Sequence, residues 1–539
     1  MTDISAESRG TRRNPVAPGA GRTVASAVPQ SLVARLARGV TAGGEGDPVE
    51  TTAPLTGERL ATLPQSTPAD VQAAYGLARR AQQAWAAPPV RRRAAVLLRF
   101  HDLLLRRQDE GLDLIQAETG KSRLHAFDEI MSVAMAARYY GRRAPGYLRD
   151  RRRGGAMPVL THTVEARRPK GVVGQISPWN YPLELSVGDA LPALVAGNGL
   201  VTKPDTQTAL TALWARELLI EAGLPAELWQ IVIGDGPVVG PAVVEQADYV
   251  SFTGSTRTGR EVAQRAAARL VGASLELGGK NPMLVLADAD LDRAAEGALR
   301  ACFSSAGQLC VSIERLFVHR SVADRFLAAF AERTSAMRLG GGLAYGADMG
   351  SLVSERQLEV VSRHVEEAVK AGATVLAGGR ARPDLGPLFY EPTILDGVTD
   401  QMPVCVEETF GPVVSVYRFD TEEEAVALAN SSSYGLNSSV WTKDARRGRA
   451  IAARLRTGTV NVNEGYAAAY GSVASPMGGM GDSGLGRRHG SDGILRYTEA
   501  QTIATQRLAP IAPSHGLNDE RFAALLTTGL RIMKAIGIK

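Results

Sequence analysis

Cysteine is scarce in this chain: Cys302, Cys310 and Cys405 are the three in 539 residues. Three thiols cannot build a disulfide framework, and a reducing compartment is the simpler reading. Charge of one sign is scarce too. The formal net charge is only +5 over the full length, and no zinc-finger spacing accompanies it, so nothing argues for a nucleic-acid partner. Residues 1–40 carry six Arg against Asp3 and Glu7, a net of +4, without an apolar run long enough for a signal peptide or a membrane span. Residues 1–45 are rich in Gly, Ala, Arg and Ser and lack steady periodicity, which predicts a disordered extension. An Arg-rich, acid-poor start is also the composition of a transit peptide. No internal repeat or long low-complexity tract is present.

What is present describes a large soluble globular chain. The length allows about three domains. Hydrophobic residues at 45% and charged residues at 22% are ordinary for a globular protein. Residues 70–148 repeat Ala and Leu at three- and four-residue steps, as in RRAAVLLRFHDLLLRRQDEGLDLI, and predict helices. The Arg cluster RDRRRGG reads as a solvated hinge, and residues 159–164 as a weak strand. From residue 171 strands alternate with helices: GVVGQIS, GLVTKP, LWQIVIG and DYVSFTG are strands, with helices at 190–196, 208–222 and from Ser255 onward. A second alternation begins near residue 280 with NPMLVLA and ERLFVHR, and VNVNEG predicts a further strand. This rhythm implies an α/β fold with parallel sheets covered on both faces.

Several residues carry chemistry. SAGQLC places the Cys310 thiol 34 residues after Glu276 of ELGGK. A thiol nucleophile, a carboxylate base and the Asn180 amide of PWNYP are the parts needed for covalent chemistry on a carbonyl. A buried inert cysteine is the commoner state of the residue. Glu276 has a second reading as a surface glutamate near a turn. Cys302 lies in Ala-rich helical sequence and reads as packed; Cys405 has no nucleophile signature. Phe252-Thr253-Gly254-Ser255 ends a strand before a helix, a position that attracts phosphate and equally suits a plain turn and cap. Lys203 ends the strand of VTKP, where an open sheet faces its ligand; a surface lysine is the other reading. Glu407 and Glu408 could grip a ribose diol or face solvent.

Taken together, PWNYP, GNGLVTKP, FTGSTRTG, ELGGKNP, GQLC, EETFGP and PMGGMGDSGLGR, in this order between residues 50 and 508, resemble the aldehyde dehydrogenase superfamily. The similarity is closest to a bacterial succinate-semialdehyde dehydrogenase-like branch. The resemblance implies a Rossmann-like cofactor domain (46–154 and 172–278), an α/β catalytic domain (279–490) and a small β oligomerisation element (155–171 and 491–508). It implies a homodimer or homotetramer in the cytoplasm, and no metal. It assigns Cys310 as nucleophile, Glu276 as base and Asn180 as oxyanion donor. It places Ser177, Trp179, Lys203, Thr206, Gly236, Gly240, Gly254, Ser255, Leu277, Glu408 and Phe410 around a nicotinamide dinucleotide. Where many NAD-preferring relatives have glutamate, this chain has Thr206, which leaves room for a 2′-phosphate beside Lys203 and implies NADP, with NAD also usable.

The substrate implied is succinate semialdehyde, oxidised to succinate through a cysteine thioester; Glu276 favours water over coenzyme A as the final acceptor. Two arginines often found in such enzymes are absent, with Gly188 and Ser304 in their places. Arg315 or the loop near 466–475 is then expected to supply a cation. Alternatively Tyr181, Tyr466 and Tyr470, with Ser304, line a pocket for an uncharged aromatic or long-chain aldehyde. Beyond residue 508 the resemblance fades. Phe522, Leu525, Leu526, Gly529, Ile532, Met533 and Ile536 recur at helix spacing. This tail, 509–539, is expected to pack on the body or a partner subunit, or to touch the inner face of the membrane reversibly.

Overall fold

The computed structural model describes residues 23–44, 46–158 and 160–537. Its centre is two mostly parallel sheets. The first has six strands in the order Gly484–Leu485, Ala273–Glu276, Tyr249–Thr253, Val172–Ser177, Gly199–Pro204, Trp229–Ile231. Only the first pair is antiparallel, with Gly484 opposite Glu276. Alternation along the strands fills both faces. Val172, Val201 and Val250 join a cluster with Val71, Tyr75 and Val243, while Val173, Leu200 and Tyr249 join Leu194, Leu210 and Trp214 on the other side. Chain order reverses beside Val172–Ser177, so the crevice beyond its carboxyl end is a topological switch point, the usual ligand position in such sheets.

The second sheet has seven strands in the order Thr374–Ala377, Thr393–Asp396, Val413–Phe419, Ile313–His319, Asn281–Val285, Asn437–Trp441, Thr459–Val462. Its residues form a separate core around Phe303, Phe326 and Phe330. A third, antiparallel sheet pairs Thr498–Gln506 with Thr161–Pro169 over nine residues and adds Arg151–Arg153 at its edge. Helices Pro68–Ala86, Val90–Arg106, Gln108–Thr119 and Arg123–Tyr147 account for the Ala/Leu-rich region. Gly120, at φ 74°, stops the third of them and turns Lys121 into the interior.

Four expectations need correction. Residues 23–44 are not a disordered extension: Val24–Ala27 and Gln30–Ala37 are helices that bury Val24, Val28, Leu32, Val33 and Leu36 in the main core. The Thr41 N–H then donates to the Ile231 carbonyl at the sheet edge. Residues 1–22 lie outside the described residues. The Arg cluster is not a hinge, because Arg151–Arg153 is a strand against Thr163–Glu165, and the Glu165 carboxylate offsets both Arg153 and Arg167. The strand expected at 159–164 runs over Thr161–Pro169. Gly484–Leu485, assigned by sequence to the catalytic segment, pairs in the six-stranded sheet instead.

Candidate active site

Cys310 sits between the two large sheets, just after a strained turn. Ser305, Ala306 and Gly307 adopt φ of 50°, 56° and 68° in succession. A Cβ at Gly307 would lie 2.0 Å from the Gly411 carbonyl oxygen, so glycine is required there. The turn is held from several directions. The Ser305 N–H donates to His125 Nδ1 at 3.1 Å. Gln308 Oε1 accepts from the Val353 N–H, and Asn281 Nδ2 donates to the Cys310 and Ser312 carbonyls at 2.7 Å. Such fixing is what a left-handed segment of non-glycine residues needs to persist. The thiol is only half-buried, and Tyr181, Leu185, Leu309, Val311, Leu436 and Met477 form the apolar cluster against which it packs with Tyr466 and Tyr470. Burial, then the nearby Glu276 and Glu408 charges, push the thiol up to about 12. Cys302 is fully buried, as expected of a packed residue.

Asn180 follows the strand Val172–Ser177 and is buried. Its Nδ2 donates to the Gln308 carbonyl at 2.9 Å, two residues before Cys310. One amide hydrogen is thereby spent and the second remains. The Asn180 carbonyl accepts from Lys121 Nζ at 2.7 Å, and the same ammonium pairs with Glu129 at 2.7 Å. Glu129 Oε2 accepts the Leu183 and Glu184 N–H groups. A buried Lys121–Glu129 pair thus fixes the loop that carries Asn180. Sequence reasoning missed both residues; the signal available was Gly120-Lys121 directly after a helix.

Glu276 ends the strand Ala273–Glu276 and is buried, not a surface residue. Burial raises its carboxyl to about 7, against the downward pull of Arg488 and Arg496. Its Oε1 has no hydrogen-bond partner among the described residues. Across the crevice Glu408 Oε1 accepts the Gly279 N–H at 2.7 Å, and a Cβ at Gly278 would meet Glu408 Oε2 at 2.2 Å. Burial, then the neighbouring Glu314 charge, lifts Glu408 to about 8. Phe410, at φ 51°, meets Trp179 edge-on with ring centres 5.5 Å apart. Glu314, paired with Lys280, accepts the Thr409 and Phe410 N–H groups and so shapes that turn.

The expected dinucleotide residues line the carboxyl ends of the first sheet. Lys203 is buried, and its ammonium makes one long bond, 3.3 Å, to the Pro204 carbonyl. Burial lowers its proton affinity while Asp205 and Asp235 oppose that. An ammonium with so little company suits an incoming phosphate or hydroxyl. Thr206 Oγ1 reaches the Gly234 carbonyl at 3.4 Å. Ser255 caps the helix Thr256–Ala268, and Leu277 is buried against Gly259, where a Cβ would lie 2.4 Å from Leu277 Cδ2. At Gly236 a Cβ would meet nothing within 4 Å, and at Gly240 only Ile176 at 4.0 Å, so both leave open space. Gly254 tucks under Phe252. Ser177 differs: its hydroxyl is buried and shares a hydrogen bond with Ser186 at 2.7 Å.

On the opposite side of Cys310, the Tyr181 and Ser305 hydroxyls share a hydrogen bond at 2.8 Å, and Lys121 Nζ lies 3.6 Å above the Tyr181 ring. Tyr466 bonds Ser304, and Tyr470 meets His489 edge-on. The expected replacement cation is not Arg315. Its guanidinium is spent on the Lys280, Leu428 and Ala429 carbonyls. The loop 466–475 contains no Lys or Arg. Sequence reasoning also missed Arg488, a buried guanidinium whose charge acts on both Glu276 and Cys310.

The family model for the aldehyde dehydrogenase family matches residues 41–503. The chain belongs to this family. Among relatives of this aldehyde dehydrogenase, a Mycolicibacterium smegmatis protein named "Putative succinate-semialdehyde dehydrogenase NADP(+)" is 53% identical over 482 residues, 89% of this chain and 93% of the relative. Among solved structures, an E. coli NADP dependent enzyme superposes with a TM-score of 0.82 at 34% identity, covering 85% of this chain and 95% of that one. The NAD+ complex of aldehyde dehydrogenase from Bacillus cereus gives 0.81 at 36% identity, covering 85% and 93%. The aldehyde dehydrogenase fold expected from the sequence is therefore present, and no described helix is long and apolar enough to cross a membrane.

Proposed function

We propose that this aldehyde dehydrogenase oxidises succinate semialdehyde to succinate with NADP. The observation that carries the chemistry is the placement of the half-buried Cys310 thiol among Asn180, Glu276 and Glu408, between the two sheets. Glu276, with a proton affinity near neutrality, takes the thiol proton, and the sulfur forms a bond to the aldehyde carbon. The free Asn180 N–H and the Cys310 backbone N–H stabilise the resulting alkoxide. Acceptance of the hydride from this carbon is the chemistry that a nicotinamide held beside Trp179 and Phe410 would supply. Glu276 passes the thiol proton on to solvent; water then attacks the remaining thioester as its proton goes to Glu276, and the departing Cys310 thiolate regains that proton as the acid leaves. Lys203 and Thr206 would hold the adenosine ribose and its 2′-phosphate, Glu408 the nicotinamide ribose, with Trp179 and Phe410 beside the ring.

The name of the M. smegmatis relative supports the substrate and NADP; the absence of a carboxylate at Thr206 supports NADP independently. A panel of succinate semialdehyde and short neutral, aromatic and long-chain aldehydes, each with NADP and NAD, tests the reading. The expected result is the highest kcat/KM for succinate semialdehyde with NADP. In the Thr206→Glu variant a carboxylate would face the 2′-phosphate, and kcat/KM with NADP is expected to fall about 30-fold or more, while that with NAD holds or rises. Preference for an uncharged aldehyde would overturn the substrate and fit the tyrosine-lined pocket.

Two further parts of the reading concern assembly. The edge strand Thr498–Gln506 buries only Thr498 of its nine residues, and an open ladder of that length supports pairing with a second copy. The domain limits expected from the sequence are retained as part of this reading, apart from the corrections above. The helix Asp519–Ala535 leaves Leu525, Leu530 and Ile532 exposed and also carries Arg521, Arg531 and Lys534. That pattern supports contact with an anionic lipid surface. Vesicles containing anionic lipid are expected to float the full chain and not a chain ending at residue 510. Equal flotation removes the contact and leaves packing on a partner subunit.

A further inference from the structure

Behind Glu276 lies a buried ion cluster that the steps above do not use. Arg488 is 3% exposed and sits in an antiparallel bridge with Met477, whose N–H donates to the Arg488 carbonyl at 2.8 Å. Its Nη2 lies 3.4 Å from Glu184 Oε1 and 3.3 Å from Asp189 Oδ1. Asp189 is also held by Arg496 at 2.7 Å. Among the described residues, Arg488 Nε, Arg496 Nε, His489 Nδ1, Glu184 Oε2 and Glu276 Oε1 all lack partners in this wall. Arg488 and Glu276 belong to neighbouring segments: Glu276 Oε1 lies 3.3 Å from where a Cβ on Gly478 would stand, one residue beyond Met477. Unspent buried donors and acceptors together in one wall are unusual in a folded protein.

We propose that Arg488 is a positioning residue for the hydrolytic half of the reaction: clamped by Glu184 and Asp189, its guanidinium holds the Glu276 carboxylate in its ionised form. This rests on Glu276 being the base. The charges that bear on Glu276 are Arg488 first, then Arg496, Asp189 and Arg487, with Cys310 and Tyr249 within its field. Those around Arg488 are Asp189, Glu184, Tyr470 and Glu276, with His489 beside it and held neutral by burial. Arg496 donates to Asp189 and Tyr497 and, like Arg488, keeps an unspent Nε. Arg488 is the cation whose charge bears most on Glu276. A carboxylate in a dry site without such a cation keeps its proton and cannot activate water.

The test is the pH dependence of acyl-enzyme decay after a single turnover, in the full-length enzyme with NADP. Arg488→Gln is expected to move the acid limb of decay upward by about one to three pH units. At pH 7 decay then slows about tenfold or more and recovers as pH rises. Arg488→Lys, which keeps a cation, is expected to restore most of the limb. A merely structural role would lower the rate at every pH and leave the limb in place; that result overturns the proposal, as does a limb that lysine fails to restore. Should Arg488→Gln not fold, judged by loss of cofactor binding, Arg488→Met, which fills a similar volume without charge, decides in its place: an upward limb supports the proposal and an unmoved one overturns it. Glu276→Gln separates the two readings. A wild-type limb surviving in that variant refutes Glu276 as base, whereas a limb lost there but unmoved by Arg488→Gln refutes Arg488 alone.

Discussion

Cys310→Ala is expected to lose turnover by about 10⁴-fold or more while still binding NADP. Removing the nucleophile from a covalent mechanism deletes the step on which every other group acts, so the remaining groups recover little of the rate. The fold should tolerate the change. Cys310 is half-buried, its backbone is held by Asn281, and the apolar wall of Tyr181, Leu309 and Val311 does not depend on the sulfur; a stability change of about 1 kcal/mol or less is expected. The measurement is NADPH formation at saturating succinate semialdehyde, beside a fluorescence titration with NADP and a melting curve. Undiminished turnover would remove the thiol from the chemistry.

Glu276→Gln should separate the two halves of the reaction. With the base gone, hydrolysis of the thioester is expected to slow by about 10²- to 10⁴-fold. A burst of up to one NADPH per subunit should precede the stall, slower than in the wild type because Glu276 no longer takes the thiol proton, and quickening as pH rises toward the range of the thiol itself. In the wild type, Glu276 titrates near 7. Its carboxylate is the active form, so steady-state rate should fall as pH drops through that value. Stability runs the other way. The folded-state affinity is raised above the ordinary carboxyl value, so the native protein holds a proton that the unfolded chain has released between roughly 4.5 and 7. The favourable contribution is complete below that window and is lost as pH rises through it. Glutamine, which carries no charge to bury, should therefore gain melting temperature relative to the wild type at pH 8 and not at pH 4. A variant with neither burst nor altered pH dependence would refute the assignment.

Local signals carried most of the site. SAGQLC and ELGGK named the thiol and the carboxylate, while the demand for glycine at 307 and 278 comes from Gly411 and Glu408, distant in the chain. The alternation of VVGQIS, GLVTKP and YVSFT named the parallel sheet, since strands covered on both faces read as unbroken apolar runs. What escaped was set by packing between distant segments. Lys121 supports Asn180 from 59 residues away, and Arg488 lies near Glu276 only because Gly484 pairs beside it. Nothing in either local sequence distinguishes such a cation from a surface one. The arginines 151–153 looked like a hinge because composition hid their pairing with Glu165 and its neighbours. The helix periodicity of Val24, Val28, Leu32 and Leu36 was legible but was outweighed by the Gly, Ala and Arg around it.

Those first helices bear on how the protein is handled. The family match begins at residue 41, an obvious place to trim the chain for expression. A cut there would strip Val24, Val28, Leu32, Val33 and Leu36 from the core and leave their apolar seat wet. A fusion tag is better carried ahead of residue 23, so that this strap stays buckled over the outer strand Trp229–Ile231.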